Sequence, residues 1–271
     1  MVRAIPDVLA RIVDSKRAAM AGITANRDAL ERQISARSAF RDFRAALLAH
    51  GTAKRPAIIA EVKKASPSKG ILADRFDPAA IARAYASGGA AALSVLTDAQ
   101  FFQGSLDDLE SARSAVAVPV LRKDFTLEEI HVVEAAAHGA DAILLIAALL
   151  DETELRKLRE LAERYRMAAL VEVHDEPELE TAIGSGARIV GVNNRNLHTF
   201  EVTLQTSLRL AAKIPSNVVK VSESGIDSRA AVTQLQDSGF DAFLVGEHLM
   251  RAADPVAALR ELIWSGVSAP L

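Results

Sequence analysis

After residue 57, eight short runs rich in Val, Ile, Leu and Ala alternate with eight amphipathic helical patterns, and ionisable residues gather where the apolar runs end. Small residues around a glycine punctuate four of the helix-to-strand joins. Together these observations predict an α/β fold, a closed TIM-type (βα)8 barrel, with an N-terminal helical extension ahead of it. Strands alternating with helices imply parallel pairing through right-handed crossovers, and eight such units close into a ring. An open doubly wound sheet is the alternative, but no G-x-G-x-x-G follows the first strand, which removes its usual dinucleotide signature. Residues 1–271 read as one domain, with 1–50 as the extension.

The extension begins with Ile5, Val8, Leu9, Ile12 and Val13 at helical spacing, with Pro6 suited to a first turn. A second helix is expected over 38–48, where Phe40, Phe43 and Leu47 form one stripe. Both helices are expected to cover apolar surface of the barrel. Residues 51–56 then break the pattern. Strands follow at 58–63, 92–96, 119–123, 142–146, 169–173, 189–193, 218–222 and 242–245. Helices are expected near 78–87, 106–116, 127–138, 152–166, 176–185, 204–214, 228–238 and 255–264, with a short helical stretch at 248–251. Ser87-Gly88-Gly89-Ala90, His138-Gly139-Ala140-Asp141, Ser185-Gly186-Ala187-Arg188 and Ser238-Gly239-Phe240-Asp241 fit a helix C-cap glycine and a tight turn into the next strand.

Composition narrows the function. Without cysteine there is no disulfide framework, thiol nucleophile or thiolate metal site. A net charge of −3 with interspersed signs gives no basic field for nucleic acid. The longest apolar run, 142–150, is too short to span a bilayer, and the charges at Arg11, Asp14, Lys16 and Arg17 interrupt any signal-peptide core. A cytoplasmic protein with no membrane or nucleic-acid partner is expected.

In such a barrel the active site lies at the C-terminal strand ends. Strand one ends in Glu61 and Lys63, opposite charges two apart on one face of an extended chain. The loop after it, Ser66-Pro67-Ser68-Lys69-Gly70, offers hydroxyls and backbone N–H groups suited to an anion. Strand three ends in Arg122-Lys123-Asp124-Phe125, where burial is expected to lower the pKa of Lys123. Strand five ends in Glu172-Val173-His174; if the flanking valines face the helices, Glu172 faces the mouth, and burial is expected to raise its pKa. Strand six runs into Asn193-Asn194-Arg195, strand seven into Ser222-Glu223-Ser224-Gly225, and strand eight into Gly246-Glu247-His248. Backbone N–H groups after strands seven and eight suit a phosphate. His174 and His248 have no partner at metal-ligand spacing, and no metal is expected.

These residues carry a resemblance. Glu61-x-Lys63-x-x-Ser66-Pro67-Ser68 resembles the signature of the indole-3-glycerol phosphate synthase family. Phe101-Phe102-Gln103-Gly104-Ser105, Leu121-Arg122-Lys123-Asp124-Phe125, Leu170-Val171-Glu172-Val173, Gly191-Val192-Asn193-Asn194-Arg195 and Ser222-Glu223-Ser224-Gly225 extend it over almost the full length. The resemblance implies a carbon–carbon lyase of tryptophan biosynthesis that needs no cofactor. Its phosphorylated substrate, 1-(2-carboxyphenylamino)-1-deoxyribulose 5-phosphate, is cyclised with loss of carbon dioxide and water. It implies Lys123 as general acid at the carbonyl and Lys63 as partner of the anthranilate carboxylate and of the phosphate. Glu172 becomes the acid–base carboxylate, Glu61 the orienter of Lys63, and Asn193 and Glu223 the groups that bind the substrate hydroxyl or order the lysines. Phe102, Phe125 and Leu197 become pocket walls, Arg195 and Ser224 substrate contacts, and Ser66, Gly225, Gly246 and Glu247 the phosphate site. Glu247 stands where some relatives have a serine, so only its backbone N–H is expected to serve an anion. A loop through Pro67, Ser68 and Gly70 is expected to close over the substrate, with Lys64 and Lys69 solvated. A monomer is expected. The alternatives are another phosphosugar barrel such as phosphoribosylanthranilate isomerase, which the missing cysteine disfavours, and a non-catalytic phosphometabolite-binding barrel.

Overall fold

The computed structural model describes residues 7–51, 55–67, 69–73 and 75–264. Eight of its strands are β1 (Ala57–Val62), β2 (Ala92–Leu96), β3 (Val120–Lys123), β4 (Ala142–Ile146), β5 (Ala168–Val173), β6 (Ile189–Asn193), β7 (Val219–Glu223) and β8 (Ala242–Val245). Each pairs in parallel with its sequence neighbours, and β8 returns to β1 to close the barrel. The expected (βα)8 architecture is the observed one. A short antiparallel pair, Ala65–Ser66 with Gly70–Ile71, stands outside the ring in the loop after β1. It was not foreseen, being too short to leave a period in the sequence. Ser68 lies outside the described residues.

Among the described residues three helices precede the barrel: α1 (Asp7–Ala25), α2 (Arg27–Ala36) and α3 (Phe43–Gly51). Around it run α4 (Pro78–Gly88), α5 (Ala99–Phe102), α6 (Leu106–Ser114), α7 (Glu129–Ala137), α8 (Glu152–Arg164), α9 (Glu176–Gly184), α10 (Gln205–Leu210), α11 (Arg229–Asp237), α12 (Glu247–Arg251) and α13 (Pro255–Ile263). Their starts are written in the sequence. Side chains of Asp77, Ser105, Asp151, Asp175, Ser228 and Asp254 each accept a first-turn backbone N–H, about 1 kcal/mol apiece. The helix-to-strand turn after α4 needs the left-handed backbone of Gly89, at φ 98°, and the same turn recurs at Gly139, Gly186 and Gly239. Among the described residues no helix is long and apolar enough to cross a membrane.

Alternate strand residues face opposite sides of the sheet, which sorts the side chains into two apolar layers. Ile59, Leu121, Leu144, Leu170, Val221 and Leu244 fill the barrel interior; Ile58, Leu93, Ile143, Val171, Val190 and Phe243 pack under the helices. Glu61, Lys123, Glu172 and Glu223 lie two residues beyond Ile59, Leu121, Leu170 and Val221, in the interior phase at the top of the barrel. The floor is closed from below by Phe43 and Leu47 of α3, both buried in the interior cluster.

The extension departs from expectation in two places. The helix expected over 38–48 starts only at Phe43, where Asp42 Oδ1 accepts from the Ala45 N–H at 2.8 Å. Residues 37–42 lie non-helical across the barrel floor because their arginines find carbonyls and a carboxylate there. Arg37 donates to Asp141 Oδ1 at 2.6 Å and to the Ala140 carbonyl at 2.8 Å, and Arg41 donates to the carbonyls of Val118 and Arg113. Phe40 is stacked by the guanidinium groups of Arg37 and Arg166, at 4.7 and 4.8 Å from its ring centre. The second departure is α2, which was not expected. Leu30 is its buried residue, so it has almost no apolar stripe to read. In α1, Leu9, Ile12 and Val13 are buried as their spacing predicts, while Ile5 and Pro6 lie outside the described residues.

Candidate active site

A cavity of about 940 Å³ opens at the C-terminal ends of the strands, and all fifteen residues given a catalytic, substrate or phosphate role in the sequence line it. The strand phase and the segments after β1, β2, β3, β6, β7 and β8 bring them together.

At its centre, Lys123 Nζ lies 3.5 Å from Glu172 Oε2. Burial alone would lower the lysine pKa, but Glu172, Glu223 and Glu61 outweigh it and hold the group above the ordinary lysine value. The sequence expectation is thus reversed, because it counted desolvation and not three carboxylates on neighbouring strands. The expectation for Glu172 is reversed as well. Burial pushes its pKa up, but Lys123, His174 and a hydrogen bond from Asn193 prevail and keep it below the usual glutamate range.

The carboxyl group that burial does hold up is Glu223. Desolvation comes first and repulsion from Glu172 second, and the result is a pKa well above the normal value. Two hydrogen-bonded carboxyl groups are therefore pushed in opposite directions, Glu172 toward its ionised form and Glu223 toward its protonated form, which favours one as acceptor and the other as donor within one site. Gly191 on β6 makes this possible: a Cβ there would fall 2.0 Å from Glu223 Oε1.

Beside this group, the ammonium of Lys63 donates to Glu61 Oε1. Gly246 backs the pair, since a Cβ at 246 would lie 2.3 Å from Glu61 Oε1 and 3.2 Å from Lys63 Nζ. That glycine, expected only as an anion contact, is also the space in which the ion pair sits.

Asn193 and Asn194 part company at the end of β6. Asn193 Oδ1 accepts from the Arg195 N–H at 3.0 Å and from Ser224 Oγ at 2.9 Å, so its amide N–H is left to donate to Glu172. Asn194 turns outward and staples β6 to β7 and α10 through Ser222 Oγ, the Ser224 carbonyl and the Ser207 N–H. Ser224 itself has φ 68°, a conformation that costs a non-glycine residue about 1 kcal/mol and is typical of functional turns.

One wall is aromatic, with the rings of Phe102 and Phe125 6.4 Å apart. Asp98 caps α5, which carries Phe102, by accepting from the Phe101 N–H at 2.7 Å, and Asp124 accepts from the Phe125 N–H at 2.8 Å. Lys16 of α1 binds both carboxylates, at 3.1 and 2.6 Å. Burial opposes ionisation of Asp124, yet Arg122 and Lys16 bring its pKa down to about 2. Leu9 and Ile12 of α1 line the same cavity. The extension is therefore part of the site, which the sequence reading missed. The available signal was Lys16, a charge on the same helical stripe as Leu9, Ile12 and Val13. Arg122 points the other way, buried among Thr97, Asp124, Glu134 and the His131 carbonyl, and is structural.

On the opposite side, Ser66, Gly225, Gly246 and Glu247 border the cavity with Arg195 and Leu197. The carboxylate of Glu247 is engaged by Arg251 at 3.3 Å and Lys69 at 3.6 Å. Lys69, expected as solvated, is half-exposed but reaches across the mouth to make that contact. Arg251, Ile226 and Leu72 also line the cavity and were not singled out, and His248, considered only as a metal ligand, lines it too.

Residues 9–262 match the family model described as indole-3-glycerol phosphate synthase. The indole-3-glycerol phosphate synthase of Burkholderia vietnamiensis is 51% identical over 260 residues, covering 95% of this chain and 99% of that protein. That of Polaromonas naphthalenivorans is 50% identical over 258 residues, 94% and 98% of the two chains, and that of Koribacter versatilis 53% over 223 residues, 82% and 85%. Among solved structures, KGPDC from Streptococcus mutans superposes with a TM-score of 0.57 at 12% identity, covering 77% of this chain and 95% of that one, a likeness of the barrel alone. Sequence match over nearly the whole length places the chain in the indole-3-glycerol phosphate synthase family.

Proposed function

We propose that this chain cyclises 1-(2-carboxyphenylamino)-1-deoxyribulose 5-phosphate to indole-3-glycerol phosphate, with release of carbon dioxide and water. The observation that carries the reading is the grouping of Lys123, Glu172 and Glu223 beside the Glu61–Lys63 pair in one cavity, with the pKa of Glu172 held down by Lys123 and that of Glu223 held up by burial. Ring closure joins the carboxyl-bearing carbon of the anthranilate ring to the ribulose C2. The carbonyl oxygen gains negative charge as this bond forms, and the Lys123 ammonium meets it with a hydrogen bond and a proton. Carbon dioxide then leaves with its bonding pair returned to the ring. The remaining hydroxyl departs as water with one added proton while a proton is lost from the former C1, giving the indole.

Glu172 takes the role of acceptor in that last exchange, and Glu223, whose burial favours the protonated form, donates to the substrate hydroxyl. Lys63, turned by Glu61, pairs with the anthranilate carboxylate. Phe102, Phe125 and Leu197 enclose the aromatic ring, with Arg195 and Ser224 as further contacts. Ser66, Lys63 and the backbone N–H groups of Gly225, Gly246 and Glu247 receive the phosphate; a Glu247 carboxylate already committed to Arg251 and Lys69 supports a backbone-only role for that residue. The reading places the protein in the cytoplasm as a monomer.

The direct test is to mix purified protein with this substrate and follow indole fluorescence. Turnover is expected near neutral pH, and a flat signal across the pH range would overturn the reading in favour of a binding protein. Gly246→Ala gives a narrower test. The added methyl must displace Glu61 or Lys63, and misplacement by about an ångström costs on the order of 10²-fold in kcat/KM. Its circular dichroism is expected to match the parent.

A further inference from the structure

We infer that His174 is a positioning residue for Glu172, wired through Glu178, and that it widens the acid side of the pH range over which Glu172 works as a base. The inference rests on the reading of Glu172 given above. His174 follows β5 and lies two residues beyond Glu172, hence on the same side of the chain. Its Nδ1 is 3.0 Å from Glu178 Oε2, and the same oxygen accepts from the His174 backbone N–H at 2.8 Å. Glu178 is itself held in the first turn of α9, its N–H donating to Asp175 Oδ1 at 2.9 Å. The ring is therefore clamped at one nitrogen.

The other nitrogen, Nε2, is buried without a hydrogen bond and lies 3.4 Å from Glu172 Oε1. The two oxygens of Glu172 are thus divided, Oε2 toward Lys123 and Oε1 toward His174. A neutral ring suits this arrangement poorly. With its hydrogen on Nδ1 for Glu178, it would turn a bare lone pair on Nε2 toward a carboxylate oxygen. The imidazolium, with a donor at each nitrogen, fits both carboxylates. The electrostatics agree: burial opposes the charge, but Glu178, Glu172 and Asp175 prevail and raise the His174 pKa. The charged and titratable groups facing Glu172 are Lys123 from β3, Glu223 from β7 and His174 itself, with Glu61 of β1 acting on Lys123 and Glu223.

An imidazolium beside Glu172 favours its ionised form, so removing it makes Glu172 take up a proton at higher pH. In His174→Gln the acid limb of kcat/KM is expected to move up by about one pH unit, the lower end of the range for losing a nearby opposite charge. A merely structural role would lower activity equally at every pH and leave the limb in place. Carbon-13 NMR of the Glu172 carboxyl group in the substrate-free protein provides the independent readout. An upward shift in both measurements supports the wiring and the reading of Glu172. A shift of the carboxyl midpoint that the rate profile does not follow keeps the wiring and overturns Glu172 as the acid–base group. An unchanged midpoint overturns the inference. Nitrogen-15 NMR of His174 in the unsubstituted protein keeps the test open should the variant not fold: a doubly protonated ring at pH 6 supports the inference, and a neutral ring at pH 6 refutes it.

Discussion

Lys123→Met is expected to lower kcat on the order of 10³-fold while leaving substrate affinity within a few-fold of the parent. Methionine keeps the unbranched stem and loses only the ammonium, so the aromatic wall of Phe102 and Phe125 and the far rim at Ser66 and Gly225 stay as they are. What disappears is the donor that meets the carbonyl oxygen as charge develops there, an interaction stronger in the transition state than in the ground state. The fold is expected to survive, because Glu172 and Glu223 share a hydrogen bond in which burial favours the protonated form of Glu223, and Asn193 and His174 still stand beside Glu172. Loss of the cation next to Glu172 also raises the pKa of that group, so residual activity should fall off at a higher pH on the acid side. Single-turnover rates and a binding titration separate the two effects. A variant turning over near the parental rate would remove Lys123 from the chemistry.

The barrel was legible because its signals are local and repeated. An apolar run, a capping aspartate or serine, an amphipathic stripe and a C-cap glycine recur from unit to unit, and closure follows from the count. The rim was legible for the same reason: Glu61, Lys123, Glu172 and Glu223 each stand two residues past an apolar interior position, so strand phase alone aims them into the mouth. Protonation states were not. The states of Lys123 and Glu172 depend on charges brought together from β1, β3, β5 and β7, and desolvation, the one effect visible in a single segment, gives the wrong sign for both. The extension was hard to read for a related reason. Residues 37–42 forgo helix to satisfy carbonyls and a carboxylate at the barrel floor, partners some hundred residues away in sequence.

Asp141→Ala is expected to destabilise the protein by about 3–5 kcal/mol, because it strips the counter-charge from buried guanidinium groups. A chain of this size would lose roughly 6–20 °C in Tm, measured by thermal unfolding. The carboxylate is fully buried. Its Oδ1 accepts from Arg37, from Arg113 at 3.2 Å and from the Arg41 N–H at 3.3 Å, while Oδ2 accepts from the Val120 N–H at 3.1 Å. The last of these bonds has a counterpart in the other glycine turn of the same pattern, where Asp241 accepts from the Lys220 N–H at 2.8 Å and joins the start of β8 to β7. Gly-x-Asp-Ala, readable in the sequence as a turn, is therefore also a strand staple, and at 141 the staple has gained three arginines. Two of them belong to the segment that leads into α3, so its loss should loosen the extension before the barrel. That order has a functional consequence, because α1 lines the cavity with Leu9 and Ile12 and holds Asp98 and Asp124 through Lys16. KM is expected to rise at temperatures well below the barrel transition. Asp141→Asn, which keeps the shape and one acceptor oxygen, should fall between the parent and the alanine variant; equal stability of asparagine variant and parent would show that the arginines are held by their carbonyl contacts and not by the charge.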